Sequence, residues 1–218
     1  MQNSQTILNE EAFCEGVRLL TGRDKHLANV VRTYGRPRLW VREPGFPTLV
    51  YIILEQQVSL ASAKAAFDRL QAAVKPLTPK GFLKLNDAEL LGIGFSRQKT
   101  LYTRLLAESL ARRHFDLRYL HDLPDNSAHK MLVAFKGIGS WTADIYLLSA
   151  LRRPDIWPTG DLALATAVQE VKRLHKRPSP ERLEALSAPW RPWRAVAARL
   201  FWHAYLCKRG LKSSTVNL

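Results

Sequence analysis

Apolar residues recur along this chain at spacings of three and four, and strict apolar–polar alternation is almost absent. That is the periodicity of amphipathic helices and not of half-buried strands. Ile7, Leu8, Phe13, Val17 and Leu20 fall along one side of a predicted helix over 7–20. Asp24 starts a second helix, which Gly35 ends as a C-cap. Three prolines and Gly45 within 36–47 predict a loop, in which Leu39-Trp40-Val41 could pair briefly as a strand. An apolar, buried helix over 48–55 breaks at Gln56-Gln57-Val58-Ser59, and another covers about 60–74.

Thr78-Pro79 reads as a cap followed by a proline at the first helical position. Asn86-Asp87-Ala88-Glu89 has the spacing of a capping box. Gly92-Ile93-Gly94 then turns into a long helix over 96–113, and a loop over 114–126 ends at Asn126-Ser127, an N-cap pair. A short apolar helix ends at Lys136, Gly137-Ile138-Gly139 turns the chain, and a second apolar helix opens at Ser140-Trp141-Thr142. A loop broken by Pro154 and Pro158 delivers one carboxylate, Asp161, to the start of a helix over 162–175. Ser179-Pro180-Glu181 starts a shorter helix, and Pro192 sits in the first turn of the last one, which runs to about Cys207 before a frayed tail. Nothing resembles a linker. The expected fold is all-α, one unit over 1–218 in two lobes: 51–155 with both glycine turns, and 1–50 with 156–218.

Composition narrows the function classes. With 218 residues, 46% hydrophobic, the chain can bury one core or two lobes sharing one. Lys+Arg number 33 against 19 Asp+Glu, a net charge of +14, which points to a polyanionic partner. Two cysteines, Cys14 and Cys207, are too few for a disulfide framework, a four-cysteine zinc site or a four-thiolate iron–sulfur cluster. No basic region precedes an apolar run at the N-terminus, and no apolar stretch reaches ~18 residues. An intracellular, cytoplasmic protein without membrane contact is the expectation.

The Gly137-Ile138-Gly139 turn is the first candidate for chemistry. A helix N-terminus presents unpaired N–H groups and partial positive charge, and flanking glycines let a phosphate approach closely. Lys136 adds charge. A G-x-G alone is an ordinary tight turn, but this one has an apolar helix on each side, lies in a strongly basic chain and precedes an isolated carboxylate. Asp161 is a good N-cap for the helix at Leu162, and an ionised carboxylate there interacts favourably with the helix dipole.

G-I-G-S-W-T-A at 137–143, followed by W-P-T-G-D at 157–161, resembles the helix-hairpin-helix DNA glycosylases, and within them the 3-methyladenine DNA glycosylase II branch. F-P-T-L-V-Y-I-I-L-E-Q-Q-V-S at 46–59, L-G-I-G-F-S-R-Q-K at 91–99 and W-R-P-W-R-A-V-A-A-R-L-F-W at 190–202 are similar to further segments of that family, in matching order.

The resemblance implies a two-lobed fold with its active site in the cleft between the lobes. It also implies excision of alkylated purines of the 3-methyladenine and 7-methylguanine type from double-stranded DNA, by a monomer with water as co-substrate. Asp161 matches the family's catalytic aspartate. Bifunctional relatives carry a nucleophilic lysine where this chain has Trp141, so strand cleavage is not expected. Trp141 and Trp202 match aromatic positions of the base pocket, where indole faces attract a cationic base by ~0.5–2 kcal/mol. Ile145 stands where some members carry an aromatic residue, and Leu162 follows the catalytic position.

Gln56, Gln57 and Val58 match the segment that fills the gap left by an extruded base. Lys136, Gly137, Gly139, Thr142 and Arg194 match contacts to the damaged strand's backbone, and Arg97 and Lys99 contacts to the opposite strand. No cofactor is required and no iron–sulfur cluster is expected, though backbone carbonyls of the family's hairpin can hold a monovalent cation. Two alternatives stay open: a glycosylase for hypoxanthine, ethenoadenine or a mismatched base, and a hairpin module that binds DNA without catalysis.

Overall fold

The structure, a computed structural model, describes residues 7–211. Among them there are twelve α-helices, two short 3₁₀ turns and no strand. In chain order the helices are α1 (Glu10–Arg23), α2 (Lys25–Tyr34), α3 (Phe46–Glu55), α4 (Leu60–Ala73), α5 (Pro79–Phe82), α6 (Asp87–Ile93), α7 (Arg97–Ala111), α8 (Asp125–Val133), α9 (Ser140–Ser149), α10 (Leu162–Lys172), α11 (Pro180–Ser187) and α12 (Arg194–Lys208). No helix is long and apolar enough to cross a membrane among the described residues.

Capping chemistry explains most of the boundaries. Asn9, Ser59, Ser96 and Ser179 each accept a hydrogen bond from a backbone N–H in the first turn of the helix they precede. Asn86 and Glu89 form the expected capping box, with bonds of 2.9 and 2.7 Å.

Several expectations shift. Leu39-Trp40-Val41 forms no strand. The helix expected from Asn126-Ser127 starts at Asp125, because Pro124 before it has the non-helical backbone of a cap, φ −55° and ψ 149°, and Asp125 puts its carboxylate in the first turn. The helix after Asp161 ends at Lys172, since Arg173 turns left-handed at φ 55° and closes it three residues early. Pro192 precedes the last helix, whose N-cap is Trp193.

The chain divides into two compact units, Glu43–Tyr146 and the remainder up to Arg42 and from Leu147 onward. In the first, α3 is the centre. Leu49, Val50, Ile52 and Ile53 are fully buried there, each burial contributing roughly 1.5–3 kcal/mol before conformational entropy is set against it. Helices α4 and α7 pack on it. Phe46, Phe82 and Phe95 chain together at 5.9 and 5.6 Å between ring centroids.

In the second unit α12 is the centre, against α1, α2 and α10. Trp190 stacks between Trp157 and Phe201 at centroid distances of 5.1 and 5.0 Å. The edge of this cluster is polar: Trp190 Nε1 donates to Asp24 Oδ2 at 2.9 Å, and Lys172 Nζ donates to the same oxygen at 2.9 Å. Asp24 also caps α2 through the N–H groups of His26 and Leu27. Burial pushes the Asp24 carboxyl up, but the bonds from Lys172 and Trp190 outweigh it and the net shift is downward.

One carboxylate therefore joins α1, α2, α10 and the aromatic core. A depressed native pKa contributes stability that is present above the unfolded value of about 4 and is lost as pH falls through the native one. Asp24→Ala is expected to lower unfolding free energy by roughly 2–3 kcal/mol at pH 7. In urea titrations the gap to wild type should narrow as pH drops below about 4; a constant gap would contradict the ionic assignment.

Candidate functional site

The hairpin is built in the Glu43–Tyr146 unit. After α8 ends at Val133, two tight bonds wind the chain into the turn: Phe135 N–H to Leu132 O at 3.1 Å and Ile138 N–H to Phe135 O at 3.0 Å. Ile138 is buried and anchors the turn. Gly137 has φ +93°, and a Cβ built on it would run into the Tyr102 ring of α7. Gly139 faces open space, with nothing within 4 Å of a Cβ built there. The two glycines therefore answer different demands. Gly137 is required by packing and by a backbone conformation that side chains resist. Gly139 keeps the surface before α9 bare, where the helix's first N–H groups have no intrahelical partner.

Gln56 is not free to enter a duplex. Its Nε2 donates to Gly137 O at 3.0 Å and to Thr142 Oγ1 at 2.9 Å, which ties the end of α3 to both sides of the turn. That corrects its expected place in the wedge. Gln57, left-handed at φ 57°, and Val58, 46% exposed, are the residues of that segment that face solvent. Thr142 is buried by the same clip, so its hydroxyl faces the fold and not a phosphate.

Lys99 is likewise turned inward. Its Nζ donates to Leu54 O at 2.8 Å, and burial holds its pKa below the ordinary lysine value. Arg97 and Lys136 are exposed, as a phosphate contact requires. The smaller turn also moves. Gly92 lies inside α6, and the chain reverses at Gly94, φ +115°, with Arg69 Nε donating to Ile93 O at 2.9 Å. Trp141 is half-buried in the first turn of α9, and Ile145, on the same helix, is buried.

The hairpin carbonyls are neutral oxygen donors. Phe135 O and Gly137 O each accept one hydrogen bond, which leaves each a second lone pair. Such donors fit a monovalent cation. Among the described residues no group of His, Cys, Asp and Glu is placed to hold a metal ion.

Asp161 belongs to the other unit. It is the N-cap of α10, and its Oδ1 accepts the Leu164 N–H at 2.6 Å and the Trp202 Nε1–H at 3.2 Å. Trp202, on α12, is held in turn by Trp40, which stands against it edge to face with centroids 5.6 Å apart and planes at 89°. The Arg42 guanidinium lies 4.8 Å from the centroid of the Trp40 ring. Leu162, the next residue after Asp161, is 67% exposed. Asp161, Leu162 and Trp202 thus come together as expected neighbours.

Trp40 was assigned no role by the sequence; it sits in a proline-rich loop, and only the tertiary contact with Trp202 reveals it. Arg194 does not join a phosphate site. It is buried, with Nε on Asp155 Oδ1 at 2.9 Å, Nη1 on Glu184 Oε1 at 2.8 Å and Nη2 on Asp155 O at 2.7 Å, so its donors are engaged in fixing the start of α12.

Comparison with known proteins extends the picture. Residues 50–192 match the HhH-GPD superfamily of base excision DNA repair proteins. A putative DNA-3-methyladenine glycosylase of Bacillus subtilis is 26% identical over 160 residues, 70% of this chain and 56% of the relative. The chain covers 56% and 39% of the two B. subtilis relatives, about half their length. The crystal structure of a DNA-3-methyladenine glycosidase from Bacillus halodurans is similar at a TM-score of 0.76 with 25% identity, over 92% of this chain and 93% of that one. The Schizosaccharomyces pombe 3-methyladenine DNA glycosylase in complex with abasic DNA is similar at 0.78 with 25% identity, over 89% and 97%. The expected all-α, helix-hairpin-helix glycosylase fold is thereby shown.

The contrast between the two glycines is testable. Gly137→Ala should lower the melting temperature by several degrees, about 1–3 kcal/mol of strain and displaced ring. Gly139→Asp should leave the melting temperature near wild type while weakening duplex DNA binding about tenfold or more, by placing bulk and negative charge where a phosphate would approach. Fluorescence melting and anisotropy measure the two effects; equal thermal losses would refute the division.

Proposed function

This chain belongs to the HhH-GPD superfamily of base excision DNA repair proteins, and from that membership we propose that it is a monofunctional DNA glycosylase, an intracellular monomer that flips alkylated purines of the 3-methyladenine and 7-methylguanine type out of double-stranded DNA and releases them by hydrolysis. The observation that carries the proposal is the Asp161 carboxylate, held by one backbone N–H and one indole N–H. The B. subtilis, B. halodurans and S. pombe relatives, all named for 3-methyladenine, support the substrate class.

The chemistry follows from what such a carboxylate can do. As the C1′–N bond of an N-alkylated purine breaks, its electron pair goes to the cationic base, which leaves neutral, and the sugar gains oxocarbenium character. A fixed anion stabilises that charge and orients the water that adds to C1′, whose proton passes to solvent. Two N–H donors on Oδ1 hold the anion in place before the reaction, so little reorganisation is needed when charge develops. The Trp202 N–H is occupied by Asp161 and its buried ring stands against Trp40; the half-buried Trp141 would offer an indole face, and cation–π attraction suits a positively charged lesion. Gln57 and Val58 would fill the space left by the extruded base. Gly139, Lys136 and Arg97 would grip phosphates without reading sequence. A monovalent cation on the hairpin carbonyls would strengthen that grip. Trp141 supplies no amine for a Schiff base, so the abasic strand should stay intact.

Wild type is expected to release 3-methyladenine and 7-methylguanine from methylated duplex DNA, detected by chromatography, and to yield no borohydride-trapped adduct. Asp161→Asn should keep binding lesion duplex while base release falls by about 10²–10⁴-fold. Release of no base from any alkylated duplex would leave a DNA-binding module instead. Release restricted to hypoxanthine, ethenoadenine or a mismatched base would replace the substrate, and a trapped adduct would overturn the monofunctional assignment.

A further inference from the structure

A groove of about 670 Å³ runs beside Asp161 and does not include the hairpin. Asp161 and Leu162 line one end; His175, Lys176, Arg177 and Arg182 line the other. Its wall is the segment between α10 and α11. Arg173 ends α10 in a left-handed conformation, and Pro178 and Pro180 stiffen the chain that leads into α11. All of these residues lie in one compact unit.

Charge pairing singles this wall out. Apart from Arg199, which is buried and donates to Arg38 O, the cations on the rest of α10–α12 and beside them are matched with acids. Lys172 pairs with Asp24 at 2.9 Å, Arg191 and Arg194 with Asp155 at 2.8 and 2.9 Å, and Lys208 and Arg209 with Glu170 at 3.1 and 2.9 Å. Arg173, Lys176, Arg177 and Arg182 are exposed and make no ion pair with any described residue. The segment's one carboxylate, Glu181, is bonded to Ser179, which holds it below the usual carboxylate range.

Like charges gathered with few counter-ions repel one another, and their grouping around a groove favours an anion bound there. Several cations spread along an open groove suit a polyanion better than a single small ion. The exposed Leu162 beside the carboxylate offers an apolar surface to a sugar or base edge. We infer that this groove holds the phosphodiester backbone of the duplex under repair, as a second grip independent of the Gly137-Ile138-Gly139 hairpin. The inference rests on the glycosylase reading above for the identity of its ligand. Its work would be to fix the strand next to Asp161, with affinity but without sequence preference.

The test reads binding alone. Anisotropy of a fluorescent undamaged duplex across a salt series compares wild type, Lys176→Ala/Arg177→Ala/Arg182→Ala, and Lys75→Ala/Lys80→Ala/Lys84→Ala. The last removes the same charge from exposed lysines outside the groove. The groove variant should bind at least about tenfold more weakly at 0.1 M salt, and its log–log salt slope should be shallower by about one per residue. The control should stay near wild type, and Lys176→Arg/Arg177→Lys/Arg182→Lys should restore the slope. A groove variant with wild-type slope and affinity, or a control with an equal loss, overturns the inference. Base release is not the readout, so the two proposals fail separately. A wild type that binds through the groove and frees no base removes the activity, one that frees bases with an inert groove removes the grip, and one that binds no duplex removes both.

Discussion

One oxygen carries the greatest constraint in this molecule. Asp161 Oδ1 receives the Leu164 N–H at the start of α10 and the indole N–H of Trp202 from α12. The first bond makes Asp161 the N-cap that α10 needs. The second ties that cap to the unit's central helix, and Trp40 presses Trp202 into position from the side. Removing the carboxylate would release a helix end and an indole together. A carboxylate held by both bonds hardly moves, which is the property that an anion meeting developing positive charge in a set place would need.

The hairpin shows the same economy in a different form. Its shape is enforced from inside, by Ile138 in the core, Tyr102 against Gly137 and the Gln56 clip across Gly137 and Thr142. Gly139 is left bare on the outside. Preorganisation of this kind matters because phosphate binding by backbone N–H groups gives no side chain that can adjust. In the unit that carries Asp161, the same division separates cations neutralised by Asp24, Asp155 and Glu170 from those left uncompensated along the groove.

Much of the fold was legible because its signals are local. Asn86 with Glu89, and Ser59, Ser96 and Ser179, announce helix starts within four residues, and the apolar run of α3 announces a buried helix. Asp161 was legible twice, as a cap and as a match to a family position. The features that stayed hidden depend on partners distant in sequence. Gln56 resembles an exposed amide until Gly137 and Thr142 are brought to it. Lys99 and Arg194 resemble phosphate contacts until Leu54 O, Asp155 and Glu184 accept their hydrogen bonds. Trp40 lies in a proline-rich loop whose conformation no short-range rule specifies. The family pattern singles out positions, but not which atoms are already committed to the fold.

If Asp161 acts as proposed, the indole N–H of Trp202 is what holds its carboxylate for reaction, and Trp202 is not merely a core aromatic lying near it. Trp202→Phe keeps a ring in the pocket and deletes that donor. The decisive quantity is the single-turnover rate of base release from a duplex carrying 7-methylguanine, at saturating enzyme, with affinity for the same duplex measured in parallel. The expected rate is lower by about 10- to 100-fold, the worth of one hydrogen bond to a charged group, with duplex affinity within a few-fold of wild type. An unchanged rate would contradict it.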